Sequence, residues 1–120
     1  MTENPVSNLT TLAKINNLKS KLSSSTNEYC KNFIEKTKDS NFDIIEIHNR
    51  PLVFNYLKNK VISKFIIYFH NDPLSMNGSR TDEERLKLLN QVDKIIFVSK
   101  WVQTRFFINI DPKLMNKTEI

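Results

Sequence analysis

Apolar residues recur along the chain with two rhythms. In the first forty residues Leu9, Leu12, Ile15, Leu18 and Leu22 fall three or four positions apart. That spacing predicts a helix with these side chains on one side and Lys14, Lys19 and Lys21 largely elsewhere. Ser23, Ser24, Ser25 and Thr26 break the pattern. A second helix is expected after Thr26 or Asn27 as N-cap, with Tyr29/Phe33 and Cys30/Ile34 as i, i+4 apolar pairs and Asp39, Ser40 and Asn41 as its exit. From Phe42 the rhythm becomes strand, connection, strand, connection, strand. Phe42–Ile47, Phe65–Phe69 and Ile95–Val98 are nearly continuous β-branched and aromatic runs, the pattern of strands buried on both faces of a parallel sheet.

The connections fit parallel crossovers. Residues 49–64 hold a helix that begins at Pro51 and carries Leu52, Tyr56 and Leu57, and residues 70–94 hold one from about Asp82 to Val92. Both exceed the dozen or so residues that a crossover requires. In the second, Thr81 and Glu84 have capping-box spacing, Asp82 and Glu83 favour the positive helix end, and Leu86, Leu89 and Val92 form the core stripe. Ser99 is placed to cap a last helix whose Trp101, Val102, Phe106 and Phe107 pack back on the sheet, ending at Asp111 and Pro112. The pattern predicts an α/β, Rossmann-like three-layer domain with a short parallel sheet over 41–120, preceded by a helical segment over 1–40. Three strands alone leave both sheet edges bare, so the fold reads as incomplete.

Composition narrows the chemistry. With 120 residues, 39% hydrophobic and 26% charged, the chain is long enough for one domain. A single glycine excludes a Gly-rich phosphate cradle or dinucleotide fingerprint. One cysteine, Cys30, makes no internal disulfide or zinc cluster and fits a reducing compartment, and its place in an apolar stripe marks a structural thiol. Met1–Thr10 is polar, unlike a secretory leader, and the longest apolar run, Phe65–Phe69, is far shorter than the ~20 residues of a membrane span. The net charge of +5 raises nucleic acid or an anionic membrane surface as partners. The excess is spread evenly, however, and Asn, Lys and Ile make up 42 of 120 residues, so nucleotide bias accounts for much of it. The aromatics fall at core positions, leaving no stacking platform for nucleic acid.

In open α/β sheets ligands bind at the carboxyl ends of strands. Here those ends read His48, Asn49, Arg50, Pro51, then His70, Asn71, Asp72, Pro73, then Ser99, Lys100, Trp101. Two imidazoles, two carboxamides, a carboxylate, a guanidinium and a hydroxyl are thus expected on one rim; the plain alternative is that these are turn formers and satisfied histidines. A serine-hydrolase arrangement of Ser99, His70 and Asp72 lacks the glycines of a nucleophile elbow. A metal site from His48, His70 and Asp72 has no recognised ligand spacing. The loop Asn71–Arg80 holds the single glycine and mixes Leu74 and Met76 with hydrogen-bonding side chains, and Arg80 could hold a carboxylate or phosphate.

The stretch Phe42–Phe107, with its FDIIEIHNRP, FIIYFHNDPLSMNGSRT and VDKIIFVSKWVQTRFF segments, resembles the N-terminal domain of family 4 glycosyltransferases of bacterial cell-surface polysaccharide synthesis. The resemblance implies half of a GT-B architecture. It further implies metal-independent, retaining transfer of a sugar from a nucleotide-sugar donor to a glycan or lipid-linked acceptor. His70 would sit beside the transferred sugar, as the catalytic-site residue. Asn71 and Asp72 would shape its loop, and His48, Asn49, Arg50 and Ser99 would line the cleft, with Arg80 added from its loop position. No cofactor besides the donor substrate and no nucleic-acid partner are implied. The expected setting is the cytoplasm, at the inner face of the membrane, with a separate donor-domain chain as a further partner. Family members start with an extra strand and continue into a donor domain. Both are expected to be missing here, making the chain an internal piece that is inactive alone. A non-enzymatic α/β interaction module is the competing reading.

Overall fold

The computed structural model describes residues 12–15 and 25–120. They form five parallel strands in the order β1-β2-β3-β4-β5: β1 Leu12–Ile15, β2 Ile44–His48, β3 Lys64–Phe69, β4 Lys94–Phe97 and β5 Thr118–Glu119. Helices α1 Ser25–Lys36, α2 Pro51–Leu57, α3 Asp82–Gln91 and α4 Lys100–Phe106 fill the four connections, with short 3-10 segments at Pro73–Ser75 and Pro112–Lys117. The chain is α/β with a Rossmann-like parallel sheet. The helix expected over residues 9–22 is contradicted at its centre, where 12–15 is a strand with Leu12 opposite Ile44 and Ile15 opposite Ile47; the rest of that expectation lies outside the described residues. Three-residue spacing of leucines is compatible with either state when a neighbouring strand offers a ladder, and here pairing with β2 prevails. The extra strand that was expected to be missing is therefore present before α1.

Strand order explains the layering. Each right-handed crossover carries the chain one strand in the same direction, so every helix falls on the same side of the sheet. The register bears this out. Ile45 faces Phe65, Ile47 faces Ile67, Ile67 faces Ile95 and Phe69 faces Phe97, and all seven are buried in one cluster with Cys30, Val53, Phe54, Leu57, Leu88, Leu89, Val102 and Phe106 from the four helices. The alternate positions Ile44, Glu46, His48, Ile66, Tyr68 and Ile96 are only half-buried and stand outside that core. The strands are thus buried on one face rather than both, and of three expected layers the described residues supply two.

Several local expectations hold for the reasons given. Thr81 Oγ1 accepts the Glu84 N–H and Glu84 Oε1 accepts the Thr81 N–H, both at 3.1 Å, closing the capping box of α3. Ser99 Oγ accepts the Val102 N–H at 3.2 Å and caps α4. Others shift. Leu86 is on the outer side of α3 and exposed, while Arg85 and Leu88 take the inner positions. Trp101, expected to pack on the sheet, is 59% exposed. Gly78 adopts φ +102°, and a Cβ there would stand 3.2 Å from the Leu52 backbone nitrogen, so the single glycine lets the 71–80 loop press on α2.

The buried Arg85 side chain is the clamp of this half of the molecule. Its Nε donates to Phe106 O, Nη1 to Ser79 O and Arg80 O, and Nη2 to Ile108 O, at 2.8 to 3.1 Å. Carbonyls at the end of α4 and before α3 are thereby satisfied by one planar fork of donors. Burial lowers its pKa from the ordinary guanidinium value.

Candidate functional site

The carboxyl ends of β2 and β3 lie side by side, because His48 is in register with Tyr68. After His48 the chain makes two successive left-handed residues, Asn49 at φ 58° and Arg50 at φ 50°. Such backbone costs roughly 1–3 kcal/mol per non-glycine residue and persists only where surroundings enforce it. The enforcing contact is the Asn49 side chain. It is 5% exposed; its Oδ1 accepts the backbone N–H of His70 at 2.8 Å and of Asn71 at 3.3 Å, and its Nδ2 donates to Asn71 Oδ1 at 2.9 Å. Asn49 is a brace between the two strand-end loops.

The two histidines meet. His48 Nδ1 lies 2.8 Å from His70 Nε2, with ring planes 17° apart and centroids 5.0 Å apart. That pairing of distances describes rings meeting edge to edge in nearly one plane, joined by a hydrogen bond. On its far side His48 Nε2 lies 3.1 Å from Glu46 Oε1, and the Tyr68 hydroxyl also hydrogen-bonds the Glu46 side chain. Tyr68 lies parallel to His48, 4.6 Å away and 4° inclined. Burial, followed by Glu46, raises the Tyr68 phenol, whereas burial and then His48 lower the His70 imidazole. Glu46 escaped the sequence reading. A carboxylate two residues before a strand-end histidine, inside an otherwise apolar run, shares its face of the strand and was the available signal.

Asn49 and Asn71 border a cavity of about 350 Å³ lined also by Thr26, Arg50, Leu52, Ser75, Met76 and Asn77; His48 and His70 are not part of its lining. Arg50 Nη2 donates to Thr26 Oγ1 at 2.8 Å, and its guanidinium lies 5.7 Å from the Tyr29 ring centre. The wall is mostly neutral hydrogen-bonding groups with two apolar side chains. Asp72 is turned elsewhere: its carboxylate accepts from Arg105 Nε at 3.2 Å and Nη2 at 2.9 Å, caps Leu74, and is held below its ordinary pKa by the Arg105 hydrogen bond. That ties the loop to α4. Arg80 is exposed and outside the cavity lining. Ser99 caps α4 from the end of β4. Cys30 is buried in the core, and burial pushes its thiol up to about 11. Among the described residues no group of three or more His, Cys, Asp or Glu could hold a metal, and no helix is long and apolar enough to cross a membrane.

His48, Asn49, His70 and Asn71 are therefore joined in one hydrogen-bonded cluster; of the expected site residues Asn49, Arg50 and Asn71 line the cavity, while His48, His70, Asp72, Arg80 and Ser99 do not. Comparison with protein-family models, with curated proteins and with solved structures finds no match for this chain.

Proposed function

We propose that the chain is the acceptor-side domain of a retaining glycosyltransferase, moving a sugar from a nucleotide-sugar donor to a glycan or lipid-linked acceptor in cell-envelope polysaccharide synthesis. A donor-binding domain, on the same or a separate chain, would complete it. The observation that carries the reading is the joining of His48, Asn49, His70 and Asn71 at the carboxyl edge of the sheet beside a cavity walled by carboxamides and hydroxyls. Ligands with many hydroxyl groups are recognised by such neutral, bidirectional hydrogen-bonding walls, with apolar patches such as Leu52 and Met76 meeting the sugar ring. A basic surface would favour work at the cytoplasmic face of an anionic membrane.

The test is saturation-transfer NMR and glycan-array binding on the full chain. Weak binding of oligosaccharides, abolished in His70→Ala with an unchanged melting temperature, is expected. Joined to a donor domain, the same variant loses about tenfold or more in turnover, the loss expected for a group that orients a reacting sugar. Failure of every saccharide to bind overturns the reading.

A second reading, a non-enzymatic interaction module, is favoured by the exposure of Val98 (56%) and Trp101 (59%) at the end of β4 and start of α4. It predicts self-association or partner capture that Trp101→Glu removes while saccharides remain unbound.

A further inference from the structure

The polar residues Glu46, His48 and Tyr68 project from the half-buried face of the sheet, and with both imidazoles in their neutral form their hydrogen bonds dictate where protons sit. A carboxylate offers only acceptors. The His48 Nε2 that meets Glu46 at 3.1 Å therefore carries its hydrogen, and the Tyr68 hydroxyl donates to the same carboxylate. A neutral imidazole protonated at Nε2 is bare at Nδ1. That bare atom lies 2.8 Å from His70 Nε2, which must then be the donor. His70 is left with an unprotonated Nδ1, which has no hydrogen-bond partner among the described residues, on a side chain that is itself exposed.

We propose that Glu46 and His48 are positioning residues that fix His70 in the tautomer with a bare Nδ1, making that atom the acceptor for a ligand hydroxyl group. The arrangement extends the familiar carboxylate–imidazole pairing, in which a buried acceptor selects the tautomer and raises the basicity of the ring it holds, by one further ring. It also sets a preference. A lone pair attracts a hydroxyl and repels phosphate or carboxylate, so the group received here is the neutral part of a ligand. The other ionisable residues at positions of this face are Lys14, in register with Glu46, Lys64 at the far end of β3, and Lys94 and Glu119, which pair with each other at 3.2 Å. The inference rests on the glycosyltransferase reading only in assigning the hydroxyl to a sugar.

Two measurements on the ligand-free chain at neutral pH test it. In ¹⁵N-labelled protein the shared proton should reside on His70 Nε2, with through-hydrogen-bond coupling to His48 Nδ1, and the coupling should disappear in His48→Phe. Diethyl pyrocarbonate, which carbethoxylates unprotonated imidazole nitrogen, should modify His70 well before His48, and Glu46→Gln should slow the His70 reaction several-fold while far-UV circular dichroism stays unchanged. A shared proton on His48, equal modification of the two histidines, or a His70 rate indifferent to Glu46→Gln in folded protein overturns the proposal. If Glu46→Gln unfolds, the order of modification and the proton's location in the unaltered chain still decide. Protection of His70 by oligosaccharides is a separate outcome that bears on the sugar reading alone, so either can fail without the other.

Discussion

Asn49 Oδ1 accepts the backbone N–H of His70 at 2.8 Å, so the residue after one strand-end histidine holds the main chain of the other. This bond converts two adjacent turns into one rigid rim. Asn49 is buried and left-handed at φ 58°, a conformation that asparagine tolerates better than most residues.

Asn49→Ala removes three hydrogen bonds and leaves two backbone donors and the Asn71 carboxamide short of a partner. A loss of about 2–4 kcal/mol in unfolding free energy is expected, read from urea melts. Asn49→Gly relieves the backbone strain but not the lost bonds, so it should recover only part. Equal stability of the alanine variant and the unaltered chain would mean that the rim holds itself together without this carboxamide.

Arg85 stands on the opposite side of the loop and gives a second test. Its four bonds to carbonyls of residues 79, 80, 106 and 108 need a planar fork, which an ammonium on a flexible stem cannot reproduce. Arg85→Lys should therefore destabilise nearly as much as Arg85→Met, both by about 2–4 kcal/mol. A lysine variant close to the unaltered chain in urea midpoint would show that charge, not geometry, is what the carbonyls require.

Trp101 is the single tryptophan and is 59% exposed, with the Arg105 guanidinium 5.5 Å from its ring centre. Its emission should have the long-wavelength maximum of a hydrated indole and be quenched readily by acrylamide. Trp101→Ala should shift the melting temperature little, because little area leaves water in folding. Blue-shifted, protected emission would mean that this end of α4 is covered.

The sequence made the β2-to-α4 order legible because each signal was local. Pro51 starts α2, the Thr81/Glu84 box starts α3, Ser99 starts α4, and apolar runs mark β2, β3 and β4. What was not legible depends on neighbours. Leu12–Ile15 is a strand because β2 offers it a ladder, and periodicity alone does not see a partner. Trp101 and Leu86 face outward because Phe106, Val102, Leu88 and Arg85 occupy the inner sides of their helices. The rim was foreseen as a set of residue types, yet the joining of His48 to His70 through β2–β3 register, and the Glu46 behind them, is a property of the pairing.

The Asp72–Arg105 pair ties the rim loop to α4 and carries a pH signature. The Arg105 hydrogen bond holds Asp72 below its ordinary 3.8, so the folded state binds that proton less readily than the unfolded chain. Stability from the pair is therefore fully present above the unfolded value and drains away as pH falls below about 3.8 through the folded value. The Arg105 and Asp72 side chains are 35% and 26% exposed respectively, so water and salt screen the pair and the effect is modest. Urea midpoints measured from pH 6 down to pH 2 should fall more steeply in the unaltered chain than in Asp72→Asn, and the difference should shrink in molar salt. Because Asp72 also caps Leu74 at 3.0 Å, Arg105→Gln separates the two roles: it should flatten the acid slope while leaving the loop cap in place. Parallel acid slopes in all three proteins would mean that the carboxylate gains nothing from the guanidinium, and that the loop is held to α4 by the packing of the apolar 3-10 segment alone.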